Sequence, residues 1–231
     1  GAGSTTILGP VITLTIGDAS NTSSTYSGVI SGTGSLTKAG AGTLTLSGAN
    51  TYTGATTVNG GILKAGVTSV ANVSGAFGNN SAVTLANTAG VALDITGFNT
   101  QIGSLTGGGT TGGNVTLGAA TLTVGGNNTS PSAYAGVISG SGALTKIGTG
   151  ELKLNGANTY TGATTITAGR LYLLTTGTIE ASSGVDVANS AAFEIQSNQT
   201  IASLTGSGQV DMPVPSTTLT IGDARNTSSI Y

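Results

Sequence analysis

The chain has 231 residues, of which only 6% are charged, with a net charge of −2, 40 glycines, no cysteine and no histidine. A near-neutral chain offers no basic face for nucleic acid or anionic lipid, and the missing cysteine and histidine remove disulfides, the commonest metal ligand and the commonest general base. No apolar run approaches the ~18 residues of a membrane span, so no part of this segment is expected to insert in a membrane. Apolar residues still make up 37%, too many for a disordered polar chain. Val, Ile, Leu and Thr come in short runs separated by Gly and Asn, which reads as strands and tight turns.

In chain order the runs are ITLTI (12–16), GVI (28–30), SLTK (35–38), TLTL (43–46), ATTV (55–58), GILKA (61–65), AVTL (82–85), VALDI (91–95), IGSL (102–105) and TLTV (121–124). The chain then repeats itself. GANTYTGATT occurs at 48–57 and again at 156–165, and residues 26–63 match 134–171 without gaps at 26 of 38 positions. LTIGDASNTSSTY (14–26), LTVGGNNTSPSAY (122–134) and LTIGDARNTSSIY (219–231) open successive copies. We therefore expect one repeat region over 1–231, with copies at 14–121 and 122–218 and the start of a third at 219–231, cut from a longer array. The intervals of 108 and 97 residues place the length difference in loops.

Between Gly32 and Gly48 the copies differ only at odd positions, while Leu36, Leu44 and Leu46 match Leu144, Leu152 and Leu154. Alternate side chains of a strand face opposite ways, so one face is buried and the other is free to change, as from Thr43 to Glu151 and from Thr45 to Lys153. Lys38 and Lys146 share the buried parity; we expect them at a corner where the count restarts. Ile62 becomes Arg170 in copy two, which predicts an exposed Glu151–Arg170 pair on neighbouring rungs. Strands this short, with one invariant face and a long repeat, predict an all-β fold: a parallel β-helix of roughly 20 residues per rung, some eleven rungs and about 50–55 Å long.

The stretches 27–58 (SGVISGTGSLTKAGAGTLTLSGANTYTGATTV) and 135–166 (AGVISGSGALTKIGTGELKLNGANTYTGATTI) resemble the autotransporter-associated β-strand repeat, also called the passenger-associated transport repeat. IGSLTGGG (102–109) and IASLTGSG (201–208) are similar to the segments that precede it. The resemblance implies a right-handed helix, display at or release from the surface of a Gram-negative bacterium, and a non-enzymatic stalk whose folding outside the cell assists export. It implies no catalytic residue and no cofactor.

The carboxylates at Asp18, Asp94, Glu151, Glu180, Asp186, Glu194, Asp211 and Asp223 are scattered, whereas glycoside hydrolysis needs a pair within roughly 5–10 Å. No metal site is expected, and Asp18 and Asp223 read as turn residues. The ligand-contact candidates are Tyr52, Tyr160, Asn50 and Asn158, since a protruding Tyr could stack on a glycan. Against this, Tyr can cap a rung corner with its ring packed and its hydroxyl wet, and Asn suits a turn. The joint is favoured over the site. Expected partners are neighbouring repeats, with host or bacterial glycans, or another copy of the chain, under an alternative adhesin reading.

Overall fold

A computed structural model describes residues 3–17 and 22–222. Every strand pairing is parallel and in register, and the chain winds as a β-solenoid of about 10 turns spaced roughly 22 residues apart. The rung is thus slightly longer, and the rungs slightly fewer, than expected. Within the repeat the spacing is 20, as between Leu36 and Thr56, and it stretches to 27 between Thr56 and Val83. The extra residues form the loop around Val70–Ser74, which closes on itself by hydrogen bonds between those two residues.

Three faces run the length of the rod. The first carries Thr13–Ile16, Ser35–Lys38, Thr56–Val58, Ala82–Leu85 and Ser104–Gly107. It continues through Tyr134, which bridges Gly107 and Leu154, into Glu151–Leu154, Gly169–Leu173, Ala191–Ile195 and Gln209–Asp211. The second carries Ser24–Tyr26, Thr43–Leu46, Ile62–Ala65, Ala92–Asp94, Asn114–Thr116 and Ile138–Ser139. The Ala157–Thr178 bridge and the pair Gln199–Ile201 and Leu219–Ile221 extend it. The third begins with Ser4–Ile7 and Val29–Gly32 and passes Asn50 and Gly75. It then holds Thr100–Ile102, Leu122–Val124, Leu144–Lys146, Thr164–Ile166, Val185–Val187 and Leu204–Gly206.

The core follows the expected parity. Leu36, Leu44, Leu46, Leu144, Leu152 and Leu154 are all buried, while Thr43, Thr45, Glu151 and Lys153 face outward. The predicted strand IGSL is the exception, because a corner at Gly103 splits it between the third and first faces. Two invariant glycines of the repeated decapeptide are explained by stacking. A Cβ on Gly48 or Gly54 would lie 2.0 or 2.2 Å from the carbonyl oxygen of Gly28 or Gly34 one rung below, and Gly156 and Gly162 meet Gly136 and Gly142 in the same way. Rungs can approach at these corners only without a side chain.

The two copies do not lie above one another. From Thr13–Ile16 the chain steps from face to face fourteen times to reach Leu122–Val124, through 24–26, 29–32, 35–38, 43–46, 50, 56–58, 62–65, 75, 82–85, 92–94, 100–102, 104–107, 114–116 and 122–124. It takes fourteen steps again, counting Tyr134, Ala157 and Thr178, to reach Leu219–Ile221. Copies of 108 and 97 residues thus span the same number of strand positions, and the difference lies in the connections. With three faces, fourteen steps is a third of a turn short of five rungs. LTI (14–16), LTV (122–124) and LTI (219–221) therefore open on the first, third and second faces in turn.

Candidate functional site

The repeated decapeptide crosses one face and a corner before it enters the strand Thr56–Val58, or Thr164–Ile166 in copy two. Asn50 is fully buried, and its side chain adds to the backbone bonds it makes with Gly75: Oδ1 accepts from the Ile30 N–H at 2.7 Å and Nδ2 donates to the Ala76 carbonyl at 2.7 Å, one rung to either side. Asn158 does the same, accepting from Ile138 N–H at 3.0 Å and donating to the carbonyls of Gly156 and Thr178 at 2.9 and 3.0 Å. Tyr52 and Tyr160 are 0% exposed. The Tyr52 hydroxyl lies 2.7 Å from Thr56 Oγ1, which lies 2.8 Å from Ser81 Oγ, and that hydroxyl donates to Gly54 O at 2.6 Å. Copy two rebuilds the chain as Tyr160, Thr164, Ser182 and Gly162 O, at 2.6, 3.0 and 2.9 Å.

The expected wet hydroxyl is therefore dry. Parity decides this, because the Tyr must turn inward to fill the corner, and a buried hydroxyl needs partners. Burial pushes both phenols well above their ordinary pKa despite the Thr hydrogen bond. All four ligand-contact candidates are thus enclosed: the Asn side chains are bonded to neighbouring rungs, and the Tyr hydroxyls to a Thr of their own rung. Tyr134 is buried likewise, donating to Gly113 O at 2.8 Å, and half-buried Tyr26 donates to Gly3 O at 3.1 Å. Asp18, Asp223 and Tyr231 lie outside the described residues.

Lys38 and Lys146 do sit at corners, at the ends of their strands, but the parity does not restart there. Both point inward, 3% and 1% exposed. The ammonium of Lys38 donates to the carbonyls of Ala39, Gly40 and Gly60 at 2.6, 2.7 and 3.0 Å. Lys146 holds those of Ile147, Gly148 and Ala168 at 2.6, 2.8 and 3.2 Å. Each corner leaves carbonyls without strand partners, and three N–H bonds from one ammonium satisfy them. Desolvation lowers both lysines, Lys146 to about 8, with the Glu151 charge opposing the shift in the latter.

The densest outward chemistry is a ladder on the upper first face that the sequence did not reveal. Glu151, Arg170, Ala192 and Gln209 stand in register, and beside them Lys153, Tyr172, Glu194 and Asp211. Glu151 and Arg170 are cross-strand neighbours as expected, but their ion pairs lie elsewhere. Arg170 Nη1 binds Glu194 at 2.8 Å and also Asp211, while Glu151 binds Lys153 at 2.7 Å and accepts from Tyr172 at 3.1 Å. The Lys153 ammonium and the Arg170 guanidinium each lie 5.6 Å from the Tyr172 ring centre, in cation–π range.

Glu194 and Asp211 do converge, contrary to the scattered carboxylates expected from their sequence spacing, because residues 17 apart become register partners on stacked strands. One guanidinium sits between them, so the pair is an ion-pair network. Beside it runs an open polar groove of about 600 Å³, lined by Thr149, Arg170, Asn189, Ser190 and Gln209 among others. Among the described residues no three Asp or Glu come together as a metal site.

The passenger-associated-transport-repeat model matches residues 36–65 and 144–173, the two blocks that run from the buried-lysine strand through the decapeptide joint to the strands Ile62–Ala65 and Gly169–Leu173. The chain is 41% identical over 207 residues, 88% of its length, to the Adhesin BmaC autotransporter of Brucella suis biovar 1 (strain 1330). It spans 6% of that relative's length. No solved structure matches it. The stacked glycines, the inward Asn and Tyr and the carbonyl-capping Lys recur at matched positions in both blocks, and the chain belongs to the passenger-associated transport repeats of autotransporter proteins.

Proposed function

We propose that this segment is a non-enzymatic stalk of a surface-displayed passenger, holding adhesive regions away from the cell. One observation carries the reading. The inward polar side chains of the decapeptide, Asn50, Tyr52 and Thr56 and their counterparts, are kept in both copies and consumed inside the rod, while the kept Thr51, Thr53 and Thr57 face outward. The repetition therefore preserves a joint, and the product of repeating a joint is length. Each rung packs only on its neighbours, so rungs can be added or removed without a new core. Stacking such rungs outside the cell also gives a folding free energy that pulls the chain outward.

A direct adhesin is the second reading, favoured by the name of the relative; its surface would be the outward Thr, Asn and charged positions, with glycans as ligands. Removing Tyr26 through Ala133 from a full-length passenger separates the two. The cut takes out fourteen strand positions, about 22 Å of rod, and places Leu144–Lys146 over Thr13–Ile16. As a stalk, the variant is exported and adheres within about twofold of the parent at matched surface density. A loss of tenfold or more with export intact, the size expected when one of several binding units is removed, would establish the adhesin.

A further inference from the structure

Several outward residues survive between the copies, Thr51 and Thr53 among them, and one set of them lines up from rung to rung. On the lower first face Thr15, Thr37, Thr57, Thr84 and Thr106 stand in register on five successive strands. On the upper third face Thr123, Thr145, Thr165, Asp186 and Thr205 do the same. The strand that follows drifts, from Thr43 to Glu151 and Thr45 to Lys153, yet Thr37 and Thr57 are kept as Thr145 and Thr165. Strand propensity alone would accept Val, Ile or Tyr at such half-exposed positions. Beside each column stand small residues, Ser35, Ala55 and Ala82 on one face and Ala143, Ala163 and Gly184 on the other. The first column carries no charge, and the second carries one, Asp186.

We propose that these threonine columns are the surfaces by which one rod packs side by side against a second copy of this chain. The column is complementary to itself. Each hydroxyl donates one hydrogen bond and accepts two, as Thr84 and Thr106 already do along the first column at 3.0 Å. In the first column like meets like without charge repulsion; in the second the one carboxylate, Asp186, accepts a hydrogen bond from Thr205 at 2.7 Å within its own column. Identical small side chains repeating at ~4.8 Å on a flat sheet can also interdigitate with a facing sheet of the same spacing. The charged ladder and the Lys64–Asp94 pair at 2.9 Å mark the neighbouring surfaces, which lack this property.

Size sets how the contact works. Five rungs by one strand width is about 24 by 12 Å, or roughly 300 Å² per rod, against about 800 Å² per partner for a stable complex. A single column does not hold a pair together; many columns do. Because successive copies are turned by a third, successive columns look out in three directions. An array of such rods is joined to neighbours on every side and forms bundles instead of isolated pairs. This role is additional to spacing, and it stands or falls independently of it.

The test has two arms, both simplified by the absence of cysteine. Spin labels at Thr37→Cys with Thr145→Cys should be farther apart than labels at Thr37→Cys with Lys153→Cys, although the first pair are repeat equivalents. The opposite order overturns the rotated placement. For association, the 231-residue chain is coupled densely to beads and clustering is measured. Thr37→Lys with Thr57→Lys, or Thr145→Lys with Thr165→Lys, should each cut clustering several-fold, and all four together should abolish it. Thr25→Lys with Thr45→Lys adds the same charge to the second face and should change clustering less than twofold. Unclustered parent beads, a fourfold variant that clusters normally, or an equal loss in the second-face control would each sink the proposal. Circular dichroism of every variant checks that the rod is intact.

Discussion

Leu44 and Leu152 hold the same position in the two copies and are both buried, 2% and 1% exposed, yet Leu44 packs from the second face and Leu152 from the first. The interior is therefore indifferent to which face a copy occupies. What the repeat requires is an inward residue of the right size above another, and any of the three faces supplies it. Only the outside distinguishes the copies.

The inward–outward assignment makes a paired prediction. Leu44→Asp or Leu152→Asp brings an unpaired carboxylate into a dry stack and should cost several kcal/mol, unfolding the adjoining rungs. Thr45→Lys should stay within about 0.5 kcal/mol of the parent, since copy two carries Lys153 there. Urea unfolding of the three variants measures this; comparable losses at Leu44 and Thr45 would contradict the placement.

The buried hydroxyl chain predicts coupling. Tyr160→Phe removes one member and leaves Thr164 short of a partner, at about 1–2 kcal/mol. Thr164→Val leaves the Tyr160 hydroxyl without a partner and takes one from Ser182, which keeps its bond to Gly162 O, and it should cost more. The double variant should lose less than the sum of the two, because the second change removes groups already unpaired. Strict additivity in a double-mutant cycle would show that the hydroxyls do not act as a chain.

Arg170 sits against two carboxylates that face each other across strands. Arg170→Met should leave Glu194 and Asp211 repelling one another, costing about 1 kcal/mol at low salt. Screening shortens to about 3 Å in 1 M salt, so most of that loss should vanish there. A salt-independent loss would mean that the Arg stem, packed beside Tyr172, matters more than its charge.

The fold was legible because the two copies compare themselves. Parity at Leu36, Leu44 and Leu46 separated inside from outside without any alignment, and the decapeptide marked its own corner. What stayed hidden was everything that depends on rung length. Glu194 and Asp211 look unrelated at a spacing of 17, and Glu151 and Arg170 look like partners at 19, until stacking decides which oxygen each guanidinium nitrogen reaches. Lys38 looked misplaced because a charged residue on the inward parity suggests a broken count; the carbonyls left over at a corner are invisible in sequence. The third-turn offset escaped for the same reason, since 108 and 97 residues conceal an equal number of steps from face to face.

Lys146 supplies a prediction in pH. Desolvation lowers its pKa from 10.5 to about 8 in the folded rod, while the unfolded chain keeps the ordinary value. Between these two values the unfolded state binds more protons than the folded state, so stability rises with pH across that window. Above about 10 the trend reverses, because the buried tyrosines are held protonated in the rod but ionise once the chain unfolds. The parent should therefore gain stability from pH 8 to about 10 and lose it beyond. Lys146→Met removes the titrating group, at the expense of three unpaired corner carbonyls. Its stability should be lower at pH 10 than the parent's, and the rise from pH 8 should be smaller, with Lys38 supplying what remains. Urea midpoints at pH 7, 8, 9 and 10 for both proteins measure the slope. An unchanged slope in the variant would mean that the carbonyl cage keeps the ammonium charged throughout, and that the corner is pinned by a permanent cation.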